Sequence, residues 1–250
     1  DLLRSRWSYV YFFFYLIIGF VLLFLNNDTS KAVITLMNII VVLTPLIGTI
    51  FGVMYYYNSR EFTELLLAQP LKRSTIFLGQ YIGVSVSLSL SLVLGLGIPF
   101  LAYGVTQSTA IFDFISLLFV GAFLTFIFVA LAFNIAISNE NKIKGFGYAI
   151  LVWLFMAVIY DGLFLISLIV FQEYPLDQFS LFATIFNPID LSRIVILLKL
   201  DISALLGYTG AVFQKFFGTN VGMLTSTLVL SMWIILPVLR LVYKSNKRDF

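Results

Sequence analysis

The chain has 250 residues, 61% of them hydrophobic and 11% charged, with 15 Lys and Arg against 12 Asp and Glu and with neither His nor Cys. So few charges cannot cover a soluble domain, and so much apolar content excludes a disordered chain. The missing His and Cys exclude a disulfide framework, zinc sites of the usual ligand types, and thiol or imidazole catalysis. A formal net charge of +3 is no argument for nucleic acid as a partner.

Uncharged apolar runs of about 20 residues predict transmembrane helices. Six occur, at residues 8–25, 33–57, 78–104, 112–137, 147–171 and 221–243. The second, third and sixth hold Pro45, Pro99 and Pro237. All six are too long, and too little alternating, for barrel strands. The first lacks a small-residue cleavage site, so it is expected to be a span and not a signal peptide. The chain begins at Asp1 and not Met, so its native start is expected to have been trimmed or left out. The expected fold class is all-α, a single polytopic domain over residues 1–250. Counting basic residues in alternate loops puts 11 of the 15 Lys and Arg on one side, including Arg4, Arg6, Lys72, Arg73, Lys144, Arg240 and Lys247. That side is expected to be the cytoplasm, with both termini in it. Trp7 and Tyr55–Tyr56–Tyr57 are expected in the aromatic belt there.

Between spans two and three, residues 58–70 predict a short helix. Asn58 or Ser59 is its expected cap and Glu61 completes a capping-box spacing with Asn58. Glu61 and Glu64 suit its dipole, and Pro70 ends it. Phe62, Leu65, Leu66 and Gln69 share one face. Ser59, Arg60, Glu61, Phe62, Glu64, Leu65, Leu66 and Gln69 are therefore candidates either for lying on lipid or for docking a cytoplasmic partner. The acidic character favours the partner, because membrane-surface helices are usually basic. The loop at 138–146, with Asn139, Glu140 and Lys142, is a second candidate contact or a solvated turn.

Between spans five and six, Asn187-Pro188-Ile189-Asp190 reads as a helix start, with Asn as cap, Pro at the first position and Asp in the first turn. The helix is expected to run through Leu200. Asp201 is expected to cap a second helix over 202–217, stopped by a left-handed Gly218. These apolar helices would form an external collar that braces the bundle, gates an exit or holds a partner. Its candidate contacts are Asn187, Pro188, Asp190, Arg193 and Tyr208.

Within the spans, Asp161 is the one deep ionisable residue, expected to have no basic partner. It is a candidate proton relay, cation site or gate, or a carboxyl bonded to a neighbouring helix. Asn38 and Asn134 are expected interhelical glue. The pairs Gly48/Gly52 and Gly79/Gly83 have the spacing for close helix approach. The methionines, Met37 and Met223 among them, would matter for a soft metal and are otherwise core filler. No Gly-Lys dipeptide occurs, so the chain has no P-loop. Any energy-driven work must draw on a partner.

The run E-F-T-E-L-L-L-A-Q-P-L-K-R-S at 61–74, placed between spans two and three, resembles the coupling helix of type-2 ABC exporter permeases. Phe62 stands where that family often has Gly. Asn187-Pro188-x-Asp190-x-x-Arg193 with Gly207-Tyr208-Thr209-Gly210-Ala211, Tyr160-Asp161, and Arg4-x-Arg6-Trp7 resemble more narrowly the permeases of nitrous oxide reductase maturation transporters. The resemblance implies six spans, a re-entrant external segment and a multi-pass protein of the bacterial inner (cytoplasmic) membrane. It implies a homodimer in membrane lipid, two cytoplasmic ATPase subunits that bind the ATP and Mg, and a periplasmic accessory protein. The implied task is copper or sulfur supply to a periplasmic reductase, with no catalytic residue, cofactor or metal site in this chain. A permease for another cargo, or a secondary transporter or channel built on Asp161, is the alternative.

Overall fold

A computed structural model describes residues 6–247 apart from 27, 28, 108, 109, 172, 175 and 200–212. The helices are α1 (Arg6–Leu25), α2 (Thr29–Asn58), α3 (Arg60–Leu67), α4 (Arg73–Ala102), α5 (Ile111–Ser138), α6 (Lys142–Leu154), α7 (Tyr160–Val170), α8 (Asp177–Ile185), α9 (Pro188–Lys199) and α10 (Asn220–Lys247). A π-helical segment, Phe155–Ile159, joins α6 to α7. No strand occurs among the described residues.

Among the described residues, six spans are long and apolar enough to cross a membrane: Ser8–Leu25, Lys31–Asn58, Arg73–Ala102, Ile111–Ser138, Lys142–Val170 and Val221–Lys247. They match the six expected, with a consistent difference. The third and fifth begin five residues early, at Arg73 and Lys142. Hydropathy detects the hydrocarbon part of a helix, whereas the helix continues through polar residues beyond it. At 30 residues, α2 and α4 are each about 45 Å long, against a hydrocarbon core of about 30 Å. The third span ends at Ala102, and the chain then turns through Gly104 at φ 78°.

α2 and α5 form the centre of the bundle. A Cβ added at Gly52 would stand 2.7 Å from Ala132 Cβ, and one at Gly48 would stand 3.5 Å from Phe128 Cβ. The expected approach at Gly48/Gly52 is therefore used. A Cβ at Gly79 would meet nothing within 4 Å, so no helix approaches there. The second close approach is at Gly95, where a Cβ would stand 2.8 Å from both the Phe12 carbonyl oxygen and Tyr15 Cβ. Ser8 and Ser87 share a 2.8 Å hydroxyl bond, and Ser91 donates to the Ser8 carbonyl at 3.3 Å. Residue 8 meets 87 and residue 20 meets 103, so α1 and α4 run parallel. Tyr15 and Thr44 bond at 3.1 Å, tying α1 to α2. Tyr56 is 8% exposed and stacks on Phe77, so it belongs to the core and not to an aromatic belt.

The segment at 171–199 differs most from expectation. Besides the expected α9 it holds α8, and the two are bent by 115°. The Tyr160 hydroxyl donates to the Ala183 carbonyl and Phe164 stacks on Phe179, so α8 runs antiparallel to α7. Asn187 bonds Met156 and Arg193 bonds Asp161, so α9 returns parallel to α7. The pair is a re-entrant hairpin. Its tip touches Met156, about halfway along the fifth span, and Ile185 accepts from Trp233 Nε1 (3.1 Å), about halfway along α10. This is deeper than a surface collar. Residues 213–217 are helical, within the expected second external helix. The expected left-handed Gly218 is not found: its N–H still donates to the Gln214 carbonyl at 3.1 Å, closing an ordinary turn. The expected helix start at Asp201 and the Tyr208 contact lie outside the described residues.

Candidate functional sites

The first site is the α3 end of the bundle. Glu61, Phe62, Glu64 and Leu65 are exposed, with Phe62 at 59% and Leu65 at 69%. The expected capping box is not formed. α2 continues through Asn58, and the Ser59 hydroxyl donates backward to the Tyr56 carbonyl at 3.3 Å. With no side-chain cap, α3 is held from below. Thr63 is buried, donates to the Ser59 carbonyl at 2.7 Å and accepts from Gln80 Nε2 at 2.7 Å. This fixes α3 on α4 while its Phe62/Leu65 face stays open. Arg60 and Glu64 pair at 3.1 Å in water, an interaction worth little. Leu66 is half-buried and Gln69 exposed, in the turn that precedes Pro70.

The second expected contact lies at the same end. The turn at 138–146 is shorter than expected, because Asn141 caps α6 at Lys142. Its Oδ1 accepts from the Ile143 and Lys144 amides at 2.9 and 3.3 Å. The Tyr57 hydroxyl donates to the Asn139 carbonyl at 2.7 Å, and Lys142 Nζ donates to Asn58 Oδ1 at 3.1 Å. These bonds tie the turn to the end of α2, one residue before α3. Glu140 and Ile143 are exposed, Ile143 at 82%. A Cβ at Gly145 would overlap the Tyr57 hydroxyl, so a larger residue there would displace that ring from its bond to Asn139.

The second site lies at the hairpin tip. Asp161 was expected to be unpaired, but Arg193 Nη1 donates to its Oδ2 at 2.8 Å. Arg193 Nη1 also stands 3.5 Å from Asp190 Oδ1, one turn back along α9. Asn187 is fully buried and organises the tip. Its Oδ1 accepts from the Ile189 amide at 3.1 Å, the expected cap. Its Nδ2 donates to Asp190 Oδ2 and to the Met156 carbonyl, both at 2.7 Å. Met156 lies in the π segment, where the wider turn leaves backbone carbonyls open to an outside donor. Asn187, Pro188, Asp190 and Arg193 thus face inward as a lock on the fifth span, and not outward as a partner surface. Hydropathy assigns Arg193 to the outer loop and has no means to show that loop folding back.

The remaining candidates separate cleanly. Asn134 is buried and donates to the Ala130 and Pro237 carbonyls at 2.9 and 2.7 Å, joining α5 to α10. Asn38 is exposed on α2 and bonds no other helix among the described residues, so it is not glue. Met37 is 3% exposed and packs in the α2 core. No protein-family model and no curated protein matches this chain.

Proposed function

We propose that this chain is the transmembrane permease subunit of an ABC-type exporter in a bacterial inner membrane, both termini cytoplasmic. Two copies would assemble with two cytoplasmic ATPase subunits that bind ATP and Mg. The observation that carries the reading is α3, a helix pinned to the bundle through Thr63 and Gln80 with Phe62 and Leu65 in water. An exposed aromatic side chain on a rigidly held helix is the kind of anchor that a partner's pocket buries. The Tyr57, Asn58, Asn139 and Lys142 bonds add the 139–142 turn to that surface. A chain without a P-loop needs such a surface if ATP drives it. The resemblance of 61–74 to a coupling helix points the same way. The narrower resemblance proposes maturation of nitrous oxide reductase, by copper or sulfur supply or by work on a periplasmic accessory protein.

The test is co-expression of this chain with its ATPase subunit. Phe62→Ala and Glu64→Lys should each lower recovered complex and coupled ATP hydrolysis about tenfold. Unchanged assembly and hydrolysis would reject the docking role.

The second reading is a secondary transporter or channel. It is favoured by two carboxylates, Asp161 and Asp190, facing one guanidinium, Arg193. That arrangement leaves one negative charge for a proton or cation to balance. It predicts transport by the chain alone, abolished by Asp161→Asn; strict ATP dependence would exclude it.

A further inference from the structure

A groove of about 400 Å³ opens on the side of the bundle between α5, the hairpin tip and α10. Its walls are Leu131, Phe186, Val229, Trp233 and Leu236, with Asn134 and Arg240 as the polar groups. The size suits a small ligand. Two features define what fits. From Val229 to Arg240 along α10 is about 16 Å, close to the roughly 15 Å of one leaflet's hydrocarbon. The hairpin tip meets α10 at Trp233, near the bundle's mid-depth, so the groove runs from one turn past the middle out to Arg240. Arg240 pairs with no acid among the described residues. Lys244 and Lys247 follow on α10 and line an adjoining recess, where Glu140 offsets one of their charges.

We infer that the groove is a binding site for one anionic phospholipid of the leaflet at the Lys244/Lys247 end. Its acyl chain lies along Val229, Trp233 and Leu236 towards Phe186. Its phosphate meets Arg240, and the basic recess beyond carries the field that favours anionic over zwitterionic headgroups. The site is independent of α3. It holds whether or not an ATPase drives the chain.

The experiment is native mass spectrometry of the full chain in micelles, titrated with phosphatidylglycerol or phosphatidylcholine. The intact chain should bind phosphatidylglycerol about tenfold more tightly. Arg240→Gln should erase that preference and Arg240→Lys should keep it; Arg240 is exposed, so neither change touches the core. Val229→Trp fills the groove and should weaken both lipids. Glycerol phosphate, the anion without chains, should not compete. Equal binding of the two lipids, an unchanged preference in Arg240→Gln, or competition by glycerol phosphate would each overturn the assignment. So would efficient chain-to-chain crosslinking of Met232→Cys across the groove, which would place a second copy there.

Discussion

Arg193→Ala should destabilise the folded chain by about 3 kcal/mol, measured by thermal or denaturant unfolding in micelles. Removing one member of a poorly solvated ion pair costs more than the pair contributes, because the remaining charge loses its partner. Here two remain. Asp161 loses a 2.8 Å bond, and Asp190 keeps only Asn187 and its 8% exposure. The double variant Arg193→Ala/Asp161→Asn should recover about half of the loss, since it neutralises one stranded carboxylate. If the double variant is no more stable than the single, the two side chains do not act as a pair. The loss should appear first as release of α8–α9 from the fifth span, with faster proteolysis at 171–176 than in the parent chain.

The second large effect is at Gly95. Gly95→Ala should cost about 2 kcal/mol, within the usual range of roughly 1 to 3 kcal/mol for forcing atoms into a full site. The new methyl would stand 2.8 Å from the Phe12 carbonyl oxygen and from Tyr15 Cβ. Neither is the free end of a flexible side chain, so α1 must move off α4. That movement strains the Ser8–Ser87 and Tyr15–Thr44 bonds. Gly97→Ala is the control: its Cβ would meet nothing within 4 Å, and its stability should be that of the parent chain or higher. Equal melting points for the two variants would show that α1 is not held where it lies here.

The spans were legible because each contains an apolar run long enough to leave few readings. α3 was legible from its acids, its apolar face and Pro70. Its cap was not, because nothing local distinguishes Asn58 as the last residue of a long helix from Asn58 as the cap of a short one. α9 was legible from Asn187-Pro188, since a cap followed by proline specifies local geometry. α8 was not: its nine residues begin at Asp177 behind Leu176, which offers no side-chain cap. The Asp161–Arg193 pair was hidden for a different reason. Its members are 32 positions apart, and only the 115° bend brings them together. The close approach at Gly95 was not legible, because it depends on a second helix that the local sequence does not contain.

The π segment in the fifth span can be treated as register arithmetic. Each residue of an α-helix advances the azimuth by about 100°. Five residues of wider turn, Phe155–Ile159, therefore set the angular offset between the half of the span that carries Gly145 and the half that carries Asp161. Gly145 must face Tyr57, while Asp161 must face Arg193. Removing a single residue from 155–159 would conserve every side chain at both contacts and satisfy only one of them. The fifth span is thus keyed at both ends, and its length between the keys is as constrained as the residues themselves.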